Sequence, residues 1–143
     1  MNRIYTICYV SKSDTSLDET SIEKIFEKSW KYNNSCDISG VLLYSFGNFF
    51  QVLEGNEESL LELYEKIKND ERHDEIFEVY HGTTAHPIFL KYKSKFNVLK
   101  TLEDLKAIYS YLEMNKSHLG SDKLKRLLQP FLMMYEADDK QMD

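Results

Sequence analysis

The chain has few of the residues that crosslink or interrupt a fold. Its 143 residues include two cysteines, two prolines and five glycines. Cys8 and Cys36 form no Cys-x-x-Cys pair, and no group of cysteines and histidines has the spacing of a zinc site. A domain of this length buries about 68–70% of its unfolded surface. We therefore expect one reduced domain, without a linker or a repeat, that needs neither a metal nor a disulfide.

Positive charge and long apolar runs are also scarce. Asp and Glu, 24 in all, outnumber the 18 Lys and Arg, which gives a net charge of −6. Affinity for nucleic acid depends largely on neutralising phosphates, so direct binding to nucleic acid is not expected. No apolar run reaches the length of a membrane span, and residues 1–12 lack the apolar core of a signal peptide. We expect a cytoplasmic protein without membrane contact.

Apolar periodicity predicts seven elements in the order βαββαββ. Alternation with a period of two predicts strands, and apolar residues at helical spacing predict two amphipathic helices between them. The strands are placed at 3–10, 38–45, 48–55, 76–82 and 88–98, and the helices at 19–31 and 57–69. This order is typical of an α+β sandwich of ferredoxin-like type, with both helices on one face of the sheet.

Two further helices are predicted in the last third of the chain. Thr101 can cap the first of them, and Gly120 closes it. Ser121 opens the second, and Pro130 is expected to kink or end it. The central strands are apolar on both faces, which indicates that both faces of the sheet are covered. We therefore expect these two helices to cover the sheet face opposite the first two.

The segment FFQVLEG, residues 49–55, places Gln51 in an otherwise apolar strand. A buried amide without hydrogen-bond partners costs about 1–3 kcal/mol. On a sheet of the predicted type, Tyr9 of the first strand lies beside Gln51, and Asn33 opens onto the same space. Two interpretations remain open from the residues alone. The protein satisfies these groups itself, or they bind the polar edge of a flat ligand in a slot that the aromatic residues, 13% of the chain, help to line.

Four segments, in this order along the chain, resemble the BLUF family, the blue-light sensors that use FAD. They are CYVS with Tyr9, SWKYNN…DISGVLLYS, GNFFQVLEG and LYEKIKNDERH. The resemblance runs from about residue 3 to 98. It implies a ferredoxin-like sandwich that holds a flavin between its two helices. On this basis residues 1–98 are assigned as the flavin-binding domain, and residues 99–143 as a helical cap packed on the sheet.

The resemblance also implies roles for the three polar residues. Tyr9 matches the redox-active tyrosine, Gln51 the switching glutamine and Asn33 the asparagine that hydrogen-bonds the flavin ring. Blue light would draw an electron and a proton from Tyr9, and rearranged hydrogen bonds at Gln51 would give a reversible, red-shifted state. The cofactor is expected to be FAD, with FMN or riboflavin as open alternatives.

Other candidate positions around the flavin rest on weaker patterns. Lys66 and Arg72 could meet the ribityl-phosphate tail, although a solvated role fits them equally well. His73 is expected at the surface. The remaining candidates are expected beside the ring, although helical stripes of this kind usually form a core, and they are Ile25, Ser29, Tyr32, Leu60, Tyr64 and Ile67.

The fifth strand departs from the family pattern. Tyr92 and Ser94 stand where the family commonly has Trp and Met, which questions the route of the signal more than flavin binding. No enzyme is expected, since the residues after 98 are too few for a cyclase, phosphodiesterase or kinase. We expect the signal to reach a separate partner protein or to change self-association in a homo-oligomer. The alternative function is a light-inactive adaptor of the same fold.

Overall fold

The predicted order of strands and helices is the order found in the computed structural model. The structure describes residues 4–14, 16–45, 47–83, 88–89, 96–114 and 119–141. Its elements are β1 (Ile4–Ser13), α1 (Glu19–Ser35), β2 (Ser39–Ser45), β3 (Asn48–Asn56), α2 (Glu57–Lys68), β4 (His73–Thr83), β5 (Phe96–Leu99), α3 (Leu102–Met114) and α4 (Leu119–Gln141). They divide into two compact units, Met1–Val98 and Leu99–Asp143.

The first unit contains a five-stranded sheet in the order β4-β1-β3-β2-β5. β1 pairs with β3 and β4, and β3 pairs with β2, all antiparallel. β3 therefore lies at the centre of the sheet. The first four strands have the order of a ferredoxin-like sandwich, so the predicted fold is confirmed. The register places Tyr9 directly opposite Gln51.

Polar caps fix where the two helices of this unit begin. The Asp18 side chain accepts a hydrogen bond from the Ser21 backbone N–H at 2.8 Å, and Asn56 accepts one from Ser59 at 3.3 Å. Glu57 lies in the first turn of α2, where the positive end of the helix favours it. Each helix then buries an apolar stripe in the core on one face of the sheet. The buried helix side chains of this core are Ile22, Phe26, Leu60 and Tyr64.

The opposite face of the sheet is apolar and buried as well. Strand alternation puts Cys8, Phe50 and Val52 on this face, and each has an exposed fraction of 2% or less. Apolar runs without alternation in β2 and β3 are thus explained by burial on both sides. The placement of residues 99–143 over this face stays a prediction.

The second unit differs from the prediction in the position of its helix boundary. Asp104 N–H donates to Thr101 Oγ1 at 3.1 Å, so the predicted cap is confirmed. The boundary expected at Gly120 and Ser121 is wrong, because α3 ends at Met114 and α4 begins at Leu119. α4 also continues past Pro130 to Gln141, so the proline does not end it. A proline has a helical φ and removes one backbone donor, which a helix of 23 residues tolerates.

Two strands of the first unit also differ from the prediction. β4 begins at His73, in a charged segment that precedes the expected start at residue 76. It lies at the edge of the sheet, where charged side chains reach water. β5 is described only from Phe96 to Leu99, and Tyr92 and Ser94 lie outside the described residues. α1 runs four residues further than expected, to Ser35, and so carries Asn33 in its last turn.

Within the part of the chain that the structure describes, no helix combines the length and the apolar character of a membrane span.

Candidate functional site

Tyr9 and Gln51 form a buried hydrogen-bonded pair at the centre of the sheet. They are direct cross-strand neighbours on β1 and β3, so their side chains leave the same face side by side. Gln51 Nε2 donates to the Tyr9 hydroxyl at 2.5 Å. The exposed fractions are 3% for Tyr9 and 5% for Gln51. The amide that is unexpected in an apolar strand therefore has at least one partner inside the protein.

The environment of Tyr9 keeps its phenol protonated. Burial raises the pKa of Tyr9 far above its ordinary value of 10.0, and the hydrogen bond from Gln51 offsets only part of this effect. The nearby Tyr64 and Asp70 raise the pKa further. Tyr9 is thus a neutral group that holds a proton at physiological pH.

Asn33 is buried near this pair with an unsatisfied acceptor. Its side chain lies in the last turn of α1 and is 3% exposed. No hydrogen bond reaches its Oδ1 atom from the described residues. A buried acceptor without a partner costs about 1–3 kcal/mol, so a ligand N–H at this position would restore the lost bond.

A cleft joins these three residues. Its volume is about 540 Å³, within the usual range of small-molecule sites. Apolar side chains of α2 and polar groups of β1, β3 and α1 meet in it, which suits a flat molecule with a polar edge. The lining residues are Tyr9, Lys28, Ser29, Lys31, Tyr32, Asn33, Phe49, Gln51, Leu63, Lys66, Ile67, Asp70, Arg72 and His73.

Most candidate residues from the sequence line this cleft, but three do not. The structure places Leu60 and Tyr64 in the core, and Ile25 is packed against that core. On α2 the residues that line the cleft are the candidates Lys66 and Ile67 together with Leu63, which the sequence did not indicate. The other candidates, all in the lining, are Ser29, Tyr32, Lys66, Ile67 and Arg72 together with the three polar residues above.

His73 is not the surface residue that the sequence suggested. Its Nδ1 lies 2.7 Å from Ser11 Oγ, and its Nε2 lies 2.6 Å from the carbonyl oxygen of Ile67. A carbonyl only accepts, so Nε2 carries a proton and donates it to Ile67. The ring thereby joins β1 to the end of α2 beside the cleft. No pattern in the sequence indicated this role, because the partner Ser11 lies 62 residues away in the chain.

Arg72 and Asp70 form an ion pair at the cleft wall. Arg72 Nε donates to Asp70 Oδ1 at 2.9 Å, and Nη2 donates to Oδ2 at 2.5 Å. The hydrogen bonds from Arg72 hold the pKa of Asp70 below its ordinary value. Both groups are charged at neutral pH, and each compensates the other's charge.

Comparisons with known proteins agree with this geometry. The family model for BLUF, sensors of blue-light using FAD, matches residues 4–95. The chain is 27% identical over 118 residues to photoactivated adenylate cyclase subunit alpha of Euglena gracilis, covering 82% of this chain and 11% of that protein. It is 34% identical over 74 residues to the blue light- and temperature-regulated antirepressor BluF of Escherichia coli, covering 52% of this chain and 18% of that protein.

Solved structures show the same fold. The structure named BlrP1 BLUF is 25% identical with a TM-score of 0.71, over 92% of this chain and 91% of that chain. Klebsiella pneumoniae BlrP1 with FMN and cyclic diGMP is 26% identical with a TM-score of 0.68, over 91% of this chain and 34% of that chain. The model match covers most of the chain, and the fold agrees with it. The chain therefore belongs to the BLUF family, the sensors of blue light using FAD.

Proposed function

We propose that this chain is a blue-light photoreceptor that binds a flavin non-covalently in the cleft between α1 and α2. The observation that carries the proposal is the Tyr9–Gln51 hydrogen bond, buried in the floor of that cleft. BLUF domains bind flavin, and one structural relative contains FMN. The proposal assigns the same kind of ligand to this cleft and a switching role to this pair.

The residues present fit a flavin. The polar edge of an isoalloxazine ring offers an N–H donor and carbonyl acceptors. Asn33 Oδ1 is a buried acceptor that no described residue meets, and Gln51 provides an amide, which can donate and accept. Leu63 and Ile67 supply an apolar wall for the ring. When bound, the flavin absorbs blue light and becomes a strong electron acceptor.

Tyr9 and Gln51 would convert that excitation into a change of hydrogen bonds. Because burial raises the pKa of Tyr9, its phenol keeps a proton that can leave together with an electron. The Gln51 amide can reverse its donor and acceptor groups without moving charge. After such a cycle Tyr9 would again hold its electron and its proton, so the chain would keep its composition and differ only in its pattern of hydrogen bonds. Such a state decays in the dark because no covalent bond holds it.

The output is proposed to pass to a separate protein. The chain spans 11% and 18% of the two curated relatives described above, so their effector activities are not transferred to it. BLUF domains are sensors, and the catalytic domains of the enzymes among these relatives are separate from them. We propose that β5 and residues 99–143 present the change to a partner or to a second copy of the chain. A cytoplasmic location and a homo-oligomer remain predictions.

Absorption spectroscopy tests the photoreceptor function. Protein purified in the dark should be yellow, and blue light should move its absorption to slightly longer wavelength until darkness restores it. Tyr9→Phe and Gln51→Leu should keep the colour and lose the shift, because they remove the two ends of one hydrogen bond. Tyr5→Phe is the matched control, since it removes a phenol from the same face of β1 outside the cleft, and it should keep the shift.

Two results would contradict this function. A colourless protein that ignores added flavin would show that the cleft binds something else. A yellow protein whose spectrum does not change in light would favour the light-inactive adaptor, which the unusual Tyr92 and Ser94 first suggested.

A further inference from the structure

The side-chain amide of Asn34 joins the last turn of α1 to the first residue of β5. Its Nδ2 donates to the Phe96 carbonyl oxygen at 3.2 Å, and its Oδ1 accepts from the Phe96 N–H at 3.0 Å. A residue in an antiparallel strand pair exchanges the same two bonds with its partner. The amide therefore takes the place of a neighbouring strand at this point of β5, and we call the two bonds the Asn34 clasp.

A second asparagine shows that a helix end does not require such a clasp. Asn69 follows α2, and its Nδ2 donates to the carbonyl of Glu65, four residues earlier, at 2.9 Å. Asn34 makes the same bond in α1, to the carbonyl of Trp30 at 2.9 Å. Within the described part of the chain, the bonds to Phe96 are what distinguish Asn34 from Asn69. Closing the helix therefore does not explain them.

The clasp holds the helical turn that carries Asn33. The two asparagines are consecutive, so their side chains leave the helix about 100° apart. Asn33 lines the cleft, where no described residue meets its buried Oδ1, and Asn34 binds β5. A rotation of the helix end that brought the Asn33 oxygen to water would separate Asn34 from Phe96. The clasp thus opposes the movement that would satisfy this oxygen without a ligand.

We propose that Asn34 is a positioning residue, which keeps the Asn33 oxygen in the cleft and thereby couples ligand binding to β5. The proposal rests on the proposed function, because it takes a flavin N–H as the group that meets Asn33. Coupling between two sites is reciprocal, so the clasp raises flavin affinity by the factor by which bound flavin disfavours opening of the clasp. β5 ends at Leu99, the first residue of the second unit. The clasp therefore lies where the chain leads toward the residues proposed to carry the output.

The affinity for FMN of single and double variants tests this coupling. Asn34→Ala should bind FMN about threefold to tenfold more weakly than wild type, because the loss corresponds to about one hydrogen bond. In the Asn33→Ala background, Asn34→Ala should lower the affinity no further, since the oxygen that it positions is absent. Asn69→Ala is the matched control. It removes the same bond to the carbonyl four residues earlier and should keep the wild-type affinity.

Hydrogen exchange of the Phe96 N–H measures the clasp without any change at Asn34. This N–H donates to Asn34 Oδ1, so it exchanges when the clasp opens. Saturation with FMN should slow this exchange about threefold to tenfold in wild type. In Asn33→Ala, saturated at a higher FMN concentration, the exchange should be the same with and without FMN. This test holds even where Asn34→Ala does not fold.

The outcomes separate this inference from the proposed function. If Asn34→Ala lowers the FMN affinity equally with and without Asn33, the residue acts through general stability and the coupling is overturned. An unchanged affinity in Asn34→Ala, or a Phe96 exchange rate that FMN does not slow in wild type, would also overturn it while leaving a flavin cleft in place. Absence of FMN binding to wild type would overturn both proposals.

Discussion

At the scale of single residues, the site depends on how each amide is satisfied. Gln51 is buried but donates to Tyr9, whereas Asn33 is buried with an acceptor that no described group meets. Its neighbour Asn34 is the opposite case. The Asn34 amide donates to the Trp30 and Phe96 carbonyls at 2.9 and 3.2 Å, and its oxygen accepts from Phe96 N–H at 3.0 Å. The side-chain amide of Asn34 is thus satisfied by the protein, and the Asn33 oxygen is proposed to bind the ligand.

This difference predicts unequal apoprotein stabilities for two alanine variants. Asn33→Ala should lower flavin affinity about threefold to tenfold, since one net hydrogen bond contributes about 0.5–1.5 kcal/mol, and should leave apoprotein stability nearly unchanged. Asn34→Ala should destabilise the apoprotein by about 1–3 kcal/mol, because it leaves two Phe96 backbone groups unpaired. Denaturant unfolding and flavin titration of both variants measure the two effects. Equal behaviour of the two variants would show that Asn33 is only structural.

Sequence patterns predicted part of this residue-scale picture. Strand alternation and the strand order were enough to expect Tyr9 beside Gln51, because cross-strand pairing is a regular feature of a sheet. They could not place His73, whose partners on β1 and α2 come from elements far apart in the chain. They also could not separate Leu60 and Tyr64 of the core from Leu63 of the cleft, since a stripe of apolar residues does not show which of its edges faces a ligand.

At the scale of elements, β3 connects the cleft to the chain that leads into β5. The Gln51 side chain lies on one face of the strand. The side chain of Glu54, three residues further along, lies on the opposite face. The Glu54 carboxylate is 1% exposed and accepts hydrogen bonds from the backbone N–H groups of Ile88 and Phe89, at 2.7 to 3.0 Å. β3 therefore carries the proposed switch and, through Glu54, also binds residues 88–89, which precede Tyr92 and Ser94 in the chain.

Glu54 should make stability depend on pH. Burial raises its pKa above the ordinary value of 4.5, and the hydrogen bonds from Ile88 and Phe89 offset only part of this. A carboxyl whose folded pKa is raised stabilises the fold most below its unfolded pKa, and this contribution is lost as pH rises through the folded pKa.

The difference in unfolding free energy between wild type and Glu54→Gln isolates this effect. As pH rises above about 4.5, wild type should lose stability relative to Glu54→Gln by about 1.4 kcal/mol per unit of pKa elevation. Glu62→Gln, an exposed carboxylate of α2, is the control and should follow the wild-type profile. Denaturant unfolding across this pH range provides the measurement. A difference between wild type and Glu54→Gln that does not change with pH would contradict the buried titration.

Element boundaries were predicted less well than element order. The apolar runs of β2 and β3 were correctly placed because burial on both faces leaves a continuous signal. The start of β4 was missed because the strand lies at a sheet edge, where charged residues are tolerated and resemble a turn. The end of α3 was missed because Gly120, a usual terminator, lies inside α4.

At the scale of the whole molecule, the BLUF match belongs to the first of the two units. The matched residues 4–95 lie within the unit Met1–Val98, as do the described residues that line the cleft. We therefore propose that the flavin and the switch belong to this first unit. Residues 99–143 form a helical pair, in which Lys125 Nζ lies 3.3 Å from Glu113, and we propose that they serve the output rather than the flavin.

The central claim is that light changes the hydrogen bonds of one buried amide. The chain has three glutamines, Gln51, Gln129 and Gln141. Nuclear magnetic resonance of protein labelled with ¹⁵N in the glutamine side chains, recorded in darkness and under blue light, observes that amide directly. Blue light should shift the Gln51 side-chain resonances, darkness should restore them, and Gln129 and Gln141 should stay unchanged. A Gln51 signal that does not move while the flavin absorption shifts would contradict the claim.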